Sequence, residues 1–381
     1  MRPVAVISIG QVPVKKRYDL GLRELGAAVV QTAIDQAGLT KVDALFASNM
    51  LSDELQGQKH IGALIADTAG LAGIEAWQVR AATASGAAAL RAAFLAVASG
   101  AVDTAVAVGV EKMSSQFPTS ALAKALDARS EIPDGKTLLS QNAALMQLYL
   151  QTYQLPDDAL AGFAVNAHLN ARNNPNALYN DRQFTSADVM ASRLIHPPLR
   201  LLDCAPVCDG AAAVVLAPSA DVGKYGGTAV SILASSAATD RFRMADRPDP
   251  LYLKAAAVSL ETALNTANIN RSDIDFFELH DAFSIMACLL LEADGFAERG
   301  KGWQMAAEGK IGRNARLPIA TMGGLKARGH PIGATALYQT CEIVQQLTNQ
   351  AGQNQIEDAQ IGLLQSVGGA AATVFTHIFG K

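Results

Sequence analysis

An internal repeat constrains the fold of this chain more than any other feature. Residues 25–50 and 253–283 each contain an alanine-rich stretch with apolar residues at i, i+3 and i+4, followed by a polar turn and a short apolar strand. That spacing predicts a helix buried along one face. The pattern recurs downstream, where residues 84–111 and 329–375 each contain a small-residue turn, a buried helix and an apolar strand. Two similar α/β units in one chain indicate a duplicated fold.

The predicted strands are continuous apolar runs, among them VAVISI, TAVAVGV, AAVVLA and IGLLQSV. Such strands are usually buried on both faces, in sheets that helices cover from both sides. We therefore expect a layered α/β fold of two packed halves, residues 1–220 and residues 221–381. Residues 114–200 are richer in polar residues and proline, and we interpret them as a loop domain, inserted in the first half, that covers a substrate.

Composition argues against several classes of function. Half of the 381 residues are hydrophobic and 17% are charged, which supports large buried cores. The formal net charge is −4 with no basic block, so we expect no nucleic-acid surface, because phosphate binding needs clustered Lys and Arg. The chain is charged too early for a signal peptide, and its longest apolar stretch is interrupted by Arg91 and Asp103. We expect a cytoplasmic protein that does not enter a membrane.

The four cysteines, Cys204, Cys208, Cys288 and Cys341, suit a reducing compartment. The Cys204-x3-Cys208 spacing could form half of a metal site, but no second Cys/His pair of ligand spacing accompanies it. We therefore expect buried thiols, no metal and no bound cofactor.

His330 lies between a glycine and a proline at the start of an apolar helix. The glycine lets the backbone approach a ligand closely, and the proline fixes the start of the helix. The helix N-terminus offers N–H groups and a partial positive charge that suit an oxyanion or a thiolate. A capping or core histidine is the alternative, but the small residues around it favour a functional site; they are Gly323, Gly324, Gly329, Gly333 and Ala334.

Three further stretches could contribute to the same site. His280, in ELHDAF, follows an apolar strand at its carboxyl end, where α/β sheets present their ligands, or it could satisfy local backbone groups. Thr83, in the turn TASG, could be a nucleophile activated by the helix dipole and a histidine, or an ordinary N-cap. Gly368 and Gly369, at the end of the last predicted strand, could offer N–H groups to an oxyanion or form a tight turn.

Together these stretches resemble the thiolase superfamily over nearly the whole chain. The motif GGLKARGHPIGATA is highly specific, and HDAF resembles the HDCF of sterol-carrier-protein-type and archaeal thiolases. The resemblance implies an α-β-α-β-α layered fold and chemistry on coenzyme A thioesters, with CoA as substrate or product. It also implies a homodimer or dimer of dimers that pairs through the strand near residues 77–80. A small zinc-containing protein, of the kind that accompanies archaeal-type thiolases, is a further candidate partner.

The chain departs from this family at every expected catalytic thiol. The position of the acyl-accepting cysteine is Thr83, and that of the second cysteine is Ala282 in one branch of the family or Ser366 in the other. Replacing the nucleophile of a residue set that acts as a unit commonly costs on the order of a million-fold in rate, so we expect thiolysis to be absent or very weak. An engineered change at Thr83 is an alternative, but the loss at Ala282 as well favours natural divergence.

Both histidines are kept, which favours an enzyme over a scaffold. The resemblance implies that the N–H groups of Thr83 and Gly368 hold one thioester oxygen and that His280 and His330 hold another. Such a pair of oxyanion sites supports enolate chemistry, a Claisen, retro-Claisen or retro-aldol reaction without an acyl-enzyme. The candidate catalytic residues are Thr83, His280, His330 and Ser366, and the candidate substrate-binding residues are Gly368, Gly369, Gly333 and Ala282. The alternative function is a non-catalytic subunit or acyl-CoA-binding partner of an active thiolase.

Overall fold

The structure, a computed structural model, describes residues 1–116, 118–226 and 229–381. The strands are β1 (Val4–Gln11), β2 (Ala44–Ser48), β3 (Glu75–Val79), β4 (Ala105–Lys112), β5 (Leu194–His196), β6 (Leu199–Arg200), β7 (Asp209–Pro218), β8 (Val230–Thr239), β9 (Phe276–Glu278), β10 (Ile361–Gly368) and β11 (Thr373–Gly380). The helices are α1 (Leu22–Gln36), α2 (Ser52–Leu55), α3 (Ile61–Thr68), α4 (Ser85–Ser99), α5 (Thr119–Ala123), α6 (Leu138–Thr152), α7 (Ala161–Ala171), α8 (Ser186–Ala191), α9 (Lys254–Ala267), α10 (Ser284–Ala293), α11 (Gly302–Ala307) and α12 (Thr335–Leu347). A π-helical turn, Gly324–Arg328, precedes α12.

Nine strands hydrogen-bond in the order β3-β2-β4-β7-β1-β8-β11-β10-β9, and β5 and β6 form a separate two-stranded sheet. The pairs β2–β3, β2–β4 and β9–β10 are parallel, whereas β1, β7, β8 and β11 pair antiparallel. The two halves meet where Ala5 pairs with Ser231 and Val6 with Val230. The sheet is therefore mixed, with its parallel pairs toward both ends.

The two halves share one topology, as the sequence repeat predicts. Outward from their junction, the first half runs β1, β7, β4, β2, β3 and the second runs β8, β11, β10, β9. At the place that corresponds to β3, Ile319 forms an isolated parallel bridge with Phe277 of β9. Helix α1 packs on β1 and β7, and α9 packs on β8 and β11 in the corresponding position. The predicted division at residues 220/221 falls between β7 and β8, and as a domain boundary it stays a prediction.

Helices α4 and α12 form a central layer between the two halves. Their apolar residues, such as Leu90 and Leu337, share one core with Phe46 of the first half and Leu364 of the second. Helices α1 and α3 cover the outer face of the first half, and α9 and α10 cover that of the second. The predicted five-layer α-β-α-β-α arrangement is thus confirmed. Residues 82–99, which include α4, are long and apolar enough to cross a membrane, but here most of them are buried inside the protein.

The chain between β4 and β7 packs over the second half. Helix α6 contacts α10, and α7 contacts the π-helical turn that leads to His330. Asn174, just after α7, donates from its side chain to the carbonyl of Met322 at 2.8 Å. The insertion thereby supports the loop that carries one of the candidate catalytic residues.

Candidate active site

Thr83 joins the start of α4 to the end of β10. Its hydroxyl donates to the carbonyl oxygen of Val367 at 2.6 Å and accepts from the backbone N–H of Gly369 at 3.1 Å. Ala84, not Thr83, occupies the N-cap position of α4, so the N-cap alternative for Thr83 is wrong. The hydroxyl therefore donates one hydrogen bond and accepts one, and both partners belong to the second half of the molecule.

The two glycines after Val367 permit this contact. A Cβ atom at Gly368 would lie 2.7 Å from the carbonyl oxygen of Ala81, so only glycine allows β10 to approach the Thr83 turn this closely. Gly369 has a φ of 62°, in the left-handed region. Its N–H is already bound to Thr83 and is not open to a thioester oxygen, which leaves Gly368 as the glycine of this pair that could donate to one.

Ser366 lies on the same face of β10 as Leu364 and Gly368, because side chains alternate along a strand. Leu364 packs in the central core, so Ser366 points toward the layer of α4 and α12. Ser366 is fully buried, and its Oγ has no hydrogen-bond partner in the described part of the chain. An unpartnered buried hydroxyl close to the Thr83 turn is compatible with its predicted role, which stays a prediction.

His280 and His330 converge. Their ring centroids are 5.2 Å apart and their planes are at 87°, although the two residues come from different loops. His280 is 3% exposed and His330 is 7% exposed. Burial lowers the pKa of His280 to about 4, against the attraction of Asp281. Burial, together with His280 and Arg328, lowers the pKa of His330 well below its usual value. Both rings are therefore neutral at physiological pH.

The hydroxyl of Thr335 couples the tautomer of His330 to the backbone of the same turn. The hydroxyl of Thr335 donates to the carbonyl of Pro331 at 3.2 Å and lies 2.7 Å from Nδ1 of His330. A hydroxyl has one proton, so whenever it donates to Pro331 it accepts from an Nδ1–H. The other ring nitrogen, Nε2, is then unprotonated and can take up a proton, which is what a general base requires.

Buried ion pairs fix the segments on either side of the two histidines. Asp281 accepts from Nζ of Lys326 at 2.8 Å and from the backbone N–H of Leu325 at 2.7 Å. Arg328 donates through Nε to Glu342 at 2.9 Å. All four charged side chains are at most 2% exposed. Sequence reasoning missed these residues, although a Lys and an Arg within the small-residue run GGLKARGHP are a signal that could have shown them.

The turn after His330 is held by the first half of the molecule. The N–H of Gly333 donates to Oε2 of Glu111 at 2.9 Å, and its carbonyl accepts from Oγ of Ser48 at 2.6 Å. The same carbonyl would lie 2.9 Å from a Cβ at Gly86, which places the first turns of α4 and α12 side by side. This contact brings the Thr83 turn next to the His330 turn. The N–H of Gly333 is committed to Glu111, so its predicted contact with substrate stays a prediction.

Two cysteines border the site without becoming thiolates. The Sγ of Cys208 accepts from the backbone N–H of His330 at 3.2 Å, and burial raises its pKa to about 12. Cys204 is partly exposed, against the expectation of a buried thiol, and burial still raises its pKa to about 12. The residue after it, Ala205, donates its N–H to the carbonyl of Ala282 at 2.8 Å. Neither thiol has the low pKa of a nucleophile.

The approach from solvent to these residues is narrow. Thr83 and Ala282 are each 6% exposed, and the two histidines are exposed to a similar extent. Four surface cavities of 380–660 Å³ are lined by other parts of the chain, chiefly around α6, α7 and α11. The expected cavity for a thioester at the histidines stays a prediction.

Two family models match the chain, the thiolase N-terminal domain over residues 4–220 and the thiolase C-terminal domain-like family over residues 236–381. The chain belongs to the thiolase family. The acetyl-CoA acetyltransferase of Methanothermobacter thermautotrophicus is 39% identical over 100% of both chains. Human sterol carrier protein 2 is 30% identical over 92% of this chain and 64% of that protein. These relatives support a thiolase-like acyltransferase.

The solved structures include one that shares the fold over almost its whole length. The Ltp2-ChsH2(DUF35) aldolase has a TM-score of 0.86, covers 99% of this chain and 97% of its own, and is 23% identical. At that identity the likeness concerns the fold alone. The family assignment and the layered fold predicted from the sequence are both confirmed.

Proposed function

We propose that this thiolase-like protein binds an acyl-CoA thioester beside His280 and His330 and catalyses enolate chemistry on it, with thiolysis weak or absent. The observation that carries the proposal is the convergence of two neutral imidazoles, their centroids 5.2 Å apart, next to a hydroxyl that is committed elsewhere. Neutral imidazoles can act as a base or as a hydrogen-bond donor to a developing oxyanion.

The hydrogen bonds of Thr83 argue against a nucleophilic role. Its proton is donated to the carbonyl of Val367, so attack on a thioester would require that bond to break and the proton to pass to a histidine. A cysteine at this place ionises readily at a helix N-terminus, whereas a hydroxyl has no comparable anion. The acyl group would therefore be activated without first being transferred to the protein.

The two histidines suit the formation of an enolate. Nδ1 of His330 lies 2.7 Å from the hydroxyl of Thr335, and with its proton on Nδ1 the ring can use Nε2 to remove a proton from the carbon next to the thioester. The electron pair then moves to the thioester oxygen, which would accept a hydrogen bond from His280, while the backbone N–H groups of Thr83 and Gly368 would hold a second thioester oxygen. Carbon–carbon bond formation, or the reverse cleavage, follows from this enolate without an acyl-enzyme.

Assembly is proposed on the same basis. Strand β3 stands first in the sheet order, and its Trp77 is 43% exposed, which supports pairing of two copies through this edge. The Ltp2-ChsH2(DUF35) aldolase, which shares the fold, is named for two components. A small zinc-containing partner of this chain is proposed as well. A cytoplasmic location, and CoA as substrate or product rather than as a bound cofactor, complete the proposal.

A second candidate is a non-catalytic subunit of an active thiolase. The commitment of Thr83 to Val367 and Gly369 favours it, since a residue that only joins two elements would look the same. The retained base nitrogen of His330 favours the enzyme. The two candidates differ in one measurable respect, which is whether the protein removes a proton from a bound acyl-CoA.

Deuterium uptake tests that difference. Acetyl-CoA is incubated with the protein in D₂O and the thioester is analysed by mass spectrometry. We expect exchange at the α-carbon with the natural protein and with Thr83→Ala, and its loss with His330→Ala. His196→Ala, at an exposed histidine on β5, is the matched control. Binding of the thioester without any exchange would favour the non-catalytic subunit.

Thiolysis is tested separately with acetoacetyl-CoA and CoA, followed by the enolate absorbance. We expect little turnover by the natural protein and a gain with Thr83→Cys, which restores a thiolate at the start of α4. Turnover by the natural protein at ordinary thiolase rates would refute the claim that the missing cysteines cripple this activity.

A further inference from the structure

Behind the two histidines lies a cluster of buried ionisable groups that the proposed chemistry does not use. Glu278 ends β9, two residues before His280, and Arg328 ends the π-helical turn, two residues before His330. Gln339 and Glu342 lie one turn apart on α12. All four side chains of the cluster are at most 2% exposed. The cluster therefore links both segments that carry the histidines to the helix behind them.

Each member of the cluster has some of its hydrogen bonds satisfied. Oε1 of Glu278 accepts from the backbone N–H and the hydroxyl of Thr321 at 2.8 and 2.6 Å. Arg328 donates to Oε1 of Glu342 at 2.9 Å, and Gln339 donates to the carbonyl of Leu279 at 2.8 Å. These bonds orient the four side chains and leave one polar atom of each uncommitted.

The uncommitted atoms are Oε2 of Glu278, Oε2 of Glu342, Nη2 of Arg328 and Oε1 of Gln339, which are buried and without a partner in the described part of the chain. A buried polar atom without a partner costs about 1–3 kcal/mol, so few survive in native proteins. Four in one cluster indicate bridging groups that the protein itself does not supply. Buried water with two to four polar neighbours is the usual bridge.

Charge also has to balance in this cluster. Asp281 is paired with Lys326, and Glu342 is paired with Arg328. Glu278 then remains as a buried carboxyl group whose hydrogen-bond donors come from the neutral Thr321. An isolated buried carboxylate is expensive, and the group takes up a proton instead. A proton on its free oxygen needs an acceptor, and Glu342 is the carboxyl group whose charge acts on Glu278.

We propose that Glu278 and Glu342 form a proton-binding site in which one proton is shared between the two carboxyl groups through enclosed water, which also contacts Arg328 and Gln339. Nothing is oxidised or reduced. One proton is bound from solvent, and the pair carries one negative charge, balanced by Arg328.

The directions of the two pKa shifts agree with this arrangement. Burial and the charge of Glu342 raise the pKa of Glu278 to about 8, against the attraction of Arg328 and the hydrogen bonds from Thr321. Burial raises the pKa of Glu342 to about 7, and the ion pair with Arg328 opposes it. Groups that interact this strongly lose their protons in two steps that belong to the pair rather than to either residue.

NMR of the whole protein labelled at the glutamate carboxyl carbons tests the proposal without any activity assay. We expect two glutamate signals that titrate together, with one proton kept to about pH 8. Glu342→Gln should remove one signal and shift the titration of Glu278 to lower pH, because the repulsion is gone. Glu278→Gln should remove the Glu278 signal and shift the titration of Glu342 to lower pH. Ordinary titration of every glutamate in the natural protein would overturn the proposal.

Glu111→Gln is the matched control, since burial raises the pKa of Glu111 to about 7 at a separate place between the halves. It should remove its own signal and leave the coupled pair unchanged, whereas a change in the pair would contradict the assignment.

A high-resolution crystal structure of the natural protein supplies the second measurement, which does not depend on folding of a variant. Water between the free oxygens of Glu278 and Glu342 is expected, and a dry interface there would overturn the shared site.

Discussion

The imidazole of His280 stands edge-on to that of His330, with 5.2 Å between the ring centroids. The two residues are 50 positions apart in the chain and belong to separate loops. Because neither ring is charged at physiological pH, they can lie this close without electrostatic repulsion. The pair can then present one nitrogen as an acceptor and another as a donor, provided that each tautomer is fixed.

The first prediction concerns the tautomer of His330. Thr335→Val keeps the shape of the side chain and removes the hydroxyl that lies 2.7 Å from Nδ1. We expect α-proton exchange on a bound acyl-CoA to fall by roughly 3- to 10-fold, since one hydrogen bond contributes about 0.5–1.5 kcal/mol. The rate of deuterium exchange at the α-carbon of the thioester in D₂O measures this loss.

Thr340→Val is the control for that change. Thr340 is buried on the same helix, and its hydroxyl donates to the carbonyl of Ala336 at 2.8 Å, away from the histidines. Thr340→Val should leave the rate of α-proton exchange unchanged. Equal losses in both variants would show that Thr335 acts through general packing of α12 and not through the imidazole.

The second prediction concerns the contact between the halves at Gly333. A Cβ atom there would lie 2.6 Å from Cα of Asn49 and 3.0 Å from Oε2 of Glu111. Gly333→Ala should therefore lower the free energy of unfolding by about 1–3 kcal/mol, as overpacking does. Urea unfolding measures it as a lower midpoint at constant slope. Gly223→Ala, where a Cβ would meet nothing within 4 Å, should be neutral.

The repeat and the layered halves followed from the sequence because hydrophobic period and turn residues are local properties, whereas the family followed from the resemblance of its motifs. The two histidines and Thr83 were found for the same reason, since each stands at the end of a predicted strand or the start of a helix. The partners of these residues could not be found in this way. Thr83 bonds to a carbonyl 284 residues away and Gly333 to a carboxylate 222 residues away, and such contacts depend on how the halves pack.

The third prediction concerns the buried pair of Asp281 and Lys326. Asp281→Asn leaves the Lys326 ammonium without its counter-charge, and breaking a buried pair costs about 3–5 kcal/mol of stability. The double variant Asp281→Asn with Lys326→Met should be less damaged than the single one, because the buried charge is gone. Denaturant unfolding compares them. A double variant that is less stable than the single one would contradict this explanation.

Asp103→Asn provides the contrast at the surface. Its partner Arg2 lies 2.9 Å away, but the carboxylate side chain is 73% exposed. Exposed pairs contribute about 0–1 kcal/mol, so the change in unfolding free energy should be small and should shrink further in salt.

The last prediction concerns stability against pH. The folded pKa of Glu278 is about 8, against about 4.3 for an unfolded glutamate. Between these values the folded protein holds a proton that the unfolded chain has lost, so this contribution is fully present below about pH 4.3 and is lost as pH rises toward 8. The slope of unfolding free energy against pH approaches about 1.4 kcal/mol per pH unit for one proton.

Glu278→Gln should remove this part of the slope, so that the variant gains stability relative to the natural protein from pH 5 to 8. Glu357→Gln, at an exposed glutamate, should leave the slope unchanged, and parallel curves for all three proteins would show that Glu278 does not hold the proton.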